Sequence, residues 1–254
     1  MFFDDAIVAA KELEIALTKR DMGQQEKAPM CGVPHHSSAG YIEQLVSKGY
    51  KVAICEQMED PKDAKGIVKR EVVQVITPGT LLPERSRDEN NHLMSLQLTR
   101  TGFSVAVVDI TTGEFSATAY QDEEEDVYPL LLDEIAKWQP KELLVSDTLY
   151  ANASFVNEMQ ERYGAMIGVY DAYSFSEKEQ ADFIREKMPA MQKGHPLLDE
   201  RLAVQATAAL LRYVYQYSQE ELRHIRSIDW YETNAWMKLD QNTRAHLEIQ
   251  RNQR

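Results

Sequence analysis

Apolar residues recur at helical spacing through Ala6, Ile7, Ala10 and Leu13, behind Asp5, which is suited to cap a helix start. Residues 15–18 then read as a short strand and Gly23-Gln24-Gln25-Glu26 as a polar turn. In Pro29-Met30-Cys31-Gly32-Val33-Pro34-His35-His36 two prolines and a glycine predict an irregular, solvent-facing loop. Ser37 or Ser38 is placed to cap a second helix with Tyr41, Ile42 and Leu45 on one face, stopped by Gly49. Strand-type runs at 51–56 and 71–77 follow, separated by a loop around Pro61 and closed by Pro78-Gly79. This alternation predicts a small mixed α/β domain over residues 1–83.

Between 84 and 94 the pattern turns polar, as in a linker. Residues 103–110 and 114–120 then read as two strands of a hairpin around Thr111-Thr112-Gly113. The acidic run at 122–126 precedes a helix reaching Lys137 and reads as a solvated first turn. A strand is predicted at 142–146, a helix at 152–163, and little pattern from 165 to 197. The strongest helical signal covers 198–217, where Leu202, Ala206, Ala209, Leu210, Tyr213 and Tyr217 share a face. A second α/β domain is therefore expected over 95–226. A last helix is predicted over 236–254, with no Gly, Asn or Pro stop signal after it, so the chain reads as a fragment.

Composition narrows the class. The 254 residues are 43% apolar and 27% charged, as in an ordinary folded protein, and no apolar run approaches the roughly 18 residues of a membrane span. Met1-Phe2-Phe3-Asp4-Asp5 carries acids where an export signal carries bases, and Cys31 and Cys55 lack a C-x-x-C spacing, which points to a reducing compartment. A net charge of −13 disfavours a polyanionic partner, but its distribution matters more. Residues 1–83 hold 10 basic and 12 acidic groups, whereas 101–200 hold 7 and 20. The first domain is thus free to meet an anion, and the acidic middle faces solvent or a protein.

No glycine-rich phosphate loop, HExxH, GxSxG or GxGxxG is present, which excludes the corresponding nucleotide, protease, hydrolase and dinucleotide chemistries as motif-supported readings. Cys31, His35 and His36 are metal-ligand types but lack a fourth partner, so no metal site is expected there. Asp109 and Asp147 each end a strand, a layout that in a nuclease gathers carboxylates around two metal ions; turn and cap chemistry is the plainer account. Lys19-Arg20 and Lys69-Arg70 flank the 29–36 loop in sequence and read either as solvated charges or as phosphate contacts.

Five segments stand in a telling order: Leu17-Thr18-Lys19-Arg20, the Pro29 to His36 loop, Val52-Ala53-Ile54-Cys55-Glu56-Gln57, Lys69-Arg70-Glu71-Val72-Val73 and Ile76-Thr77-Pro78-Gly79-Thr80. Together they resemble the N-terminal part of the bacterial MutS family of DNA mismatch-recognition proteins. The likeness continues through Val108-Asp109-Ile110-Thr111-Thr112-Gly113-Glu114-Phe115 and reaches 237–249. It implies an α/β multidomain fold: a mismatch-recognition domain, a ribonuclease H-like connector, and over 227–254 the first helix of an α-helical core. It implies duplex DNA with mismatches or small loops as the partner, contacted by Lys19, Arg20, Met30, Gly32, Pro34, His35, His36 and Lys69. It further implies a MutL-type protein partner, a homodimer for full-length members but a monomer for this fragment, and a cytoplasmic, nucleoid-associated location.

ATP and Mg²⁺ belong to the full-length family, and neither cofactor nor catalysis is expected of this chain. In the family a Gly-Asp-Phe-Tyr-Glu stretch precedes the segment matching Met1 to Asp5 and supplies a Phe that wedges beside a mispair and a Glu that bonds it. That stretch is not among these residues, so weak binding without mismatch preference is expected. Phe2 and Phe3 read as core aromatics before a helix start, and His35 stands where the family usually has an aromatic.

Overall fold

The computed structural model describes residues 1–21, 27–59, 68–81, 90–170, 176–191, 194–217 and 224–233. The expected turn at 23–26, the Pro61 loop, most of the polar linker and the helix over 236–254 lie outside the described residues. The chain divides into two compact units, Met1–Asp88 and Glu89–Arg254.

In the first unit helix α1 (Phe3–Glu12) buries Ala6, Ala9 and Ala10, and with Leu13, Cys31 and Leu45 these form a small core. The helix begins three residues earlier than Asp5 capping requires. Phe2 holds the cap position without a side-chain bond, and Asp4 and Asp5 lie in the first turn, where the positive helix end favours them. Phe3 is no core residue: it is 58% exposed and its φ is +52°, a conformation rare outside glycine. Strand β1 (Thr18–Asp21) pairs antiparallel with β2 (Lys27–Met30), so the strand expected at 15–18 starts where that run ends. Helix α2 (Ser38–Ser47) follows the loop, but the cap expected of its serines is not formed. The Ser37 hydroxyl donates back to the Pro34 carbonyl and that of Ser38 to the His35 carbonyl. Strands β3 (Val52–Gln57) and β4 (Arg70–Ile76) form a separate antiparallel pair with a register shift between Ile54 and Cys55.

The second unit is a six-stranded sheet in the order β10-β7-β6-β5-β8-β9. Its strands are β5 (His92–Leu98), β6 (Gly102–Asp109), β7 (Phe115–Gln121), β8 (Glu142–Val145), β9 (Met166–Val169) and β10 (Asp229–Trp230). β5, β6 and β7 form an antiparallel meander, β8 and β9 run parallel to β5, and β10 runs parallel to β7. Two strands depart from the sequence boundaries. β5 begins inside the expected linker, and β10 lies beyond 226, where core residues were expected. β5 is buried on both faces except at its end, so it shows no alternation to read.

Alternate residues of β6 supply two different cores. Phe103, Val105 and Val107 pack with Leu131 and Ile135 of α3 (Val127–Trp138) and, after the four-residue helix α4 (Asp147–Tyr150), with Phe155 and Met159 of α5 (Ala153–Tyr163). Ala106 and Val108 face Ile184 of α6 (Glu177–Lys187) and Ala203, Ala206 and Leu210 of α7 (Arg201–Tyr217). One buried polar tie joins α7 to the sheet: the Tyr213 hydroxyl donates to Glu142 at 2.6 Å. Residues 224–233 are strapped to the sheet. His224 Nε2 donates to the Ile110 carbonyl, Ile225 and Ile228 enter the core, and Tyr231 N–H donates to the Ala117 carbonyl. Among the described residues no helix is long and apolar enough to cross a membrane.

Candidate nucleic-acid interface

The β1–β2 hairpin is held rigid on its inner side and is bare on its outer one. Thr18 pairs with Met30, Lys19 with Pro29 and Arg20 with Ala28, and the Thr18 hydroxyl adds a 2.8 Å bond to the Met30 carbonyl. On the far side of β2, Phe2 bridges Met30, Cys31 N–H donates to the Met1 carbonyl and the Met1 amino group donates to the Cys31 carbonyl at 2.9 Å. Every residue of β1 is exposed. Because successive strand residues point to opposite faces, Lys19 and Arg20 present charge on both. The Arg20 guanidinium stands 6.0 Å from the Phe2 ring centre, a cation–π arrangement that orients it. Thr18 and Phe2 are thus positioning residues that the sequence reading missed. The signal for Thr18 was a hydroxyl directly before two bases; Phe2 gave none.

The loop continues directly from the hairpin. Met30 is half-buried at its base, and Gly32, Pro34, His35 and His36 are exposed along it, the histidines in a single 3-10 turn. Gly32 has no positive φ, and a side chain built there would meet nothing within 4 Å. Nothing within the chain therefore demands glycine at this point, and its bare backbone is open to approach from outside. The structure thus joins Lys19, Arg20, Met30, Gly32, Pro34, His35 and His36 in one continuous hairpin and loop. Lys69 is not among them: it precedes β4 in the other strand pair, exposed and ion-paired to Glu71 at 2.6 Å, with its N–H donating to Glu59.

The metal-like residue sets do not assemble. Cys31 is 2% exposed and belongs to the core, while His35 and His36 face solvent. Asp109 and Asp147 lie at opposite ends of the sheet, because β6 runs antiparallel to β5 whereas β8 runs parallel to it. Two carboxylates so placed cannot bridge ions about 4 Å apart. Asp109 is instead a turn clamp. Its carboxylate accepts from the N–H groups of Asn91, Thr111 and Thr112 and from the Thr111 hydroxyl. Burial alone would raise its pKa, but these donors outweigh it and hold the carboxyl below its usual range. Among the described residues no three His, Cys, Asp or Glu side chains are grouped to hold a metal ion, and no stretch of the chain has the spacing that cradles a nucleotide phosphate.

Comparison with known proteins supplies the context. The family model described as MutS domain I matches residues 1–85, and that described as MutS domain II matches residues 91–226. A DNA mismatch repair protein MutS from Lachnoclostridium phytofermentans is 40% identical over 253 residues, and one from Alkaliphilus metalliredigens is 42% identical over 254. A third, from Ruminiclostridium cellulolyticum, is 43% identical over 251 residues. Each alignment covers 98% of this chain but only 26–28% of the relative, so the chain spans about a quarter of the length of these proteins.

Proposed function

The chain belongs to the MutS family, and on that premise we propose that its first unit is a duplex-DNA contact surface serving mismatch repair. The observation that carries this reading is the exposed Lys19–Arg20 strand backed by a bonded hairpin and running straight into the loop that exposes Gly32, Pro34, His35 and His36. Lys19 and Arg20 contact phosphates, and Met30, Gly32, Pro34, His35 and His36 line the groove. Lys69, on its own strand pair, adds a phosphate contact outside that cluster. Phosphate contacts position a protein without reading sequence, so this surface grips duplex DNA and does not by itself select a mispair. ATP, Mg²⁺ and dimer contacts are handled by parts of MutS-type proteins outside these 254 residues.

The test titrates matched and G·T duplexes at several salt concentrations. The slope of log affinity against log salt should fall by about one for Lys19→Ala and again for Arg20→Ala, equally for both duplexes. Salt-independent binding, or a clear mismatch preference, refutes the reading.

A second reading rests on the acidic middle of the chain, with 20 acidic against 7 basic residues over 101–200. It makes the second unit a docking platform for a MutL-type protein. Retention of such a protein by the Lys19→Ala/Arg20→Ala chain as strongly as by the parent supports it; loss of retention on that change assigns the contact to the first unit.

A further inference from the structure

β7 is an edge strand for half its length. β10 covers only Ser116 and Ala117, and the last backbone–backbone bond along that border runs from Tyr231 N–H to the Ala117 carbonyl, with the Thr118 hydroxyl donating to the Tyr231 carbonyl just beyond it. On the inner border Asp122 N–H donates to the Thr101 carbonyl and Asp109 N–H to that of Glu114. The hydrogen-bonded pairs between β6 and β7 therefore alternate through Thr118 and Tyr120. A side chain built on Gly102 would meet the Tyr120 carbonyl oxygen at 2.7 Å, which places that oxygen on the inner border. It follows that the backbone N–H and C=O groups of Ala119 and Gln121 point outward. Among the described residues nothing pairs with them.

The same stretch borders a cleft of about 760 Å³, closed by Thr99 and Thr101 of the β5–β6 turn and by the start of α7. Ala119 is small and half-buried, which leaves this space unfilled. Gln205 lines the cleft at 7% exposure, and its amide has no hydrogen-bond partner among the described residues. Asp199 and Glu200 stand on the α7 side. On the opposite face of the edge the Tyr120 hydroxyl donates to Glu125, one of five consecutive acids at 122–126. The cleft's own base, Arg201, is ion-paired to Glu177.

We propose that this edge and cleft form a docking site for an extended, lysine- or arginine-rich segment of a partner protein, added as a strand along residues 119–121 in line with β10. Unpaired outward backbone groups call for an extended chain, since only a strand satisfies both donors and acceptors along the edge. Carboxylates stand on both faces of that edge, Asp199 and Glu200 on one and the 122–126 acids on the other, so a strand whose basic side chains share one face meets them whichever way it docks. The Gln205 amide carries two N–H donors and a carbonyl acceptor for whatever enters the cleft. A nucleic acid or an acidic strand meets the same carboxylates and is repelled. The site lies wholly within the second unit and stands or falls apart from the DNA surface proposed for the first.

The test uses the whole chain and a fluorescein-labelled eight-residue peptide of alternating lysine and valine. Saturable binding is expected, weakening as salt rises, with slowed amide exchange at Ala119 and Gln121. Ala119→Pro removes an outward N–H without touching the β6 ladder and should weaken binding at least about fivefold. Asp199→Asn with Glu200→Gln, a change confined to exposed residues, should weaken it comparably, and a glutamate–valine peptide should not bind. Of two peptides N-methylated on the valines or on the lysines, which keep their charge, one should bind at least about fivefold more weakly. Absence of saturable binding, equal binding of both methylated peptides and the parent, or unchanged exchange at 119 and 121 overturns the proposal.

Discussion

Tyr231 closes the strap formed by residues 224–233, and its removal tests how firmly that strap is held. Its hydroxyl accepts from Trp138 Nε1 at 2.9 Å and donates to Glu134 at 2.6 Å, while the Lys137 ammonium lies 3.8 Å from its ring centre. Tyr231→Phe keeps the ring and its cation–π contact and removes both hydrogen bonds. A neutral bond contributes about 0.5–1.5 kcal/mol and one to a charged acceptor about 1.5–3 kcal/mol. Glu134 is half-buried and keeps its Lys137 partner at 3.4 Å, so the loss should fall near the low end, about 2–3 kcal/mol.

For a unit of this size that lowers the unfolding midpoint by about 4–12 °C. All three tryptophans, Trp138, Trp230 and Trp236, lie in the second unit, so tryptophan fluorescence during urea unfolding reports on that unit alone. Trp138→Phe should couple to Tyr231→Phe by about 0.5–1.5 kcal/mol in a double-mutant cycle. Burial, and then the Glu134 charge, hold the Tyr231 hydroxyl protonated well above the ordinary tyrosine range. With a raised folded pKa, its stabilising contribution is complete below about pH 10 and is lost as pH rises beyond it, a loss the Phe variant should lack. A stability change within about 0.5 kcal/mol, or strictly additive double-mutant energies, refutes the reasoning.

Two further outcomes follow from the clamps around β6. Asp109 has a depressed folded pKa, so its contribution is present above the unfolded value of about 3.9 and is lost as pH falls through the lower folded one. Asp109→Asn should therefore cost about 1–3 kcal/mol at pH 7 and flatten the acid limb of the stability profile; an unchanged limb contradicts the clamp. At Gly113 φ is +81°, and a side chain there would sit 3.0 Å from the His224 carbonyl oxygen. Gly113→Ala should destabilise by about 1–3 kcal/mol in the same fluorescence assay, and a neutral result would mean the turn and strap yield freely.

Elements held by local physics are legible in the residues themselves. The 103–110 and 114–120 runs, joined by Thr111-Thr112-Gly113, and the 198–217 helix carry their periodicity in neighbouring residues, and the structure places β6, β7 and α7 there within a few positions. Legibility fails where the deciding partner is distant. β5 was invisible because a central strand buries both faces, and His92 and Gln97 look like loop residues until Trp138 and the sheet enclose them. β10 is two residues long and exists only through the border that β7 offers. Phe3 was misjudged because burial is a property of the assembled unit. In the candidate site the basic pair and the loop were legible as types, whereas the Arg20 to Phe2 contact and the Thr18 lock required the hairpin register.

Helix α7 lies across three neighbouring strands, β5, β6 and β7, and the face that packs in their core includes the small residues Ala203 and Ala206. Short side chains leave almost no slack between helix axis and sheet, so the helix cannot tilt away from one strand without prying at the other two. Disturbance at the bare border of the meander should accordingly be felt at its centre, and the whole layer should come apart in a single step.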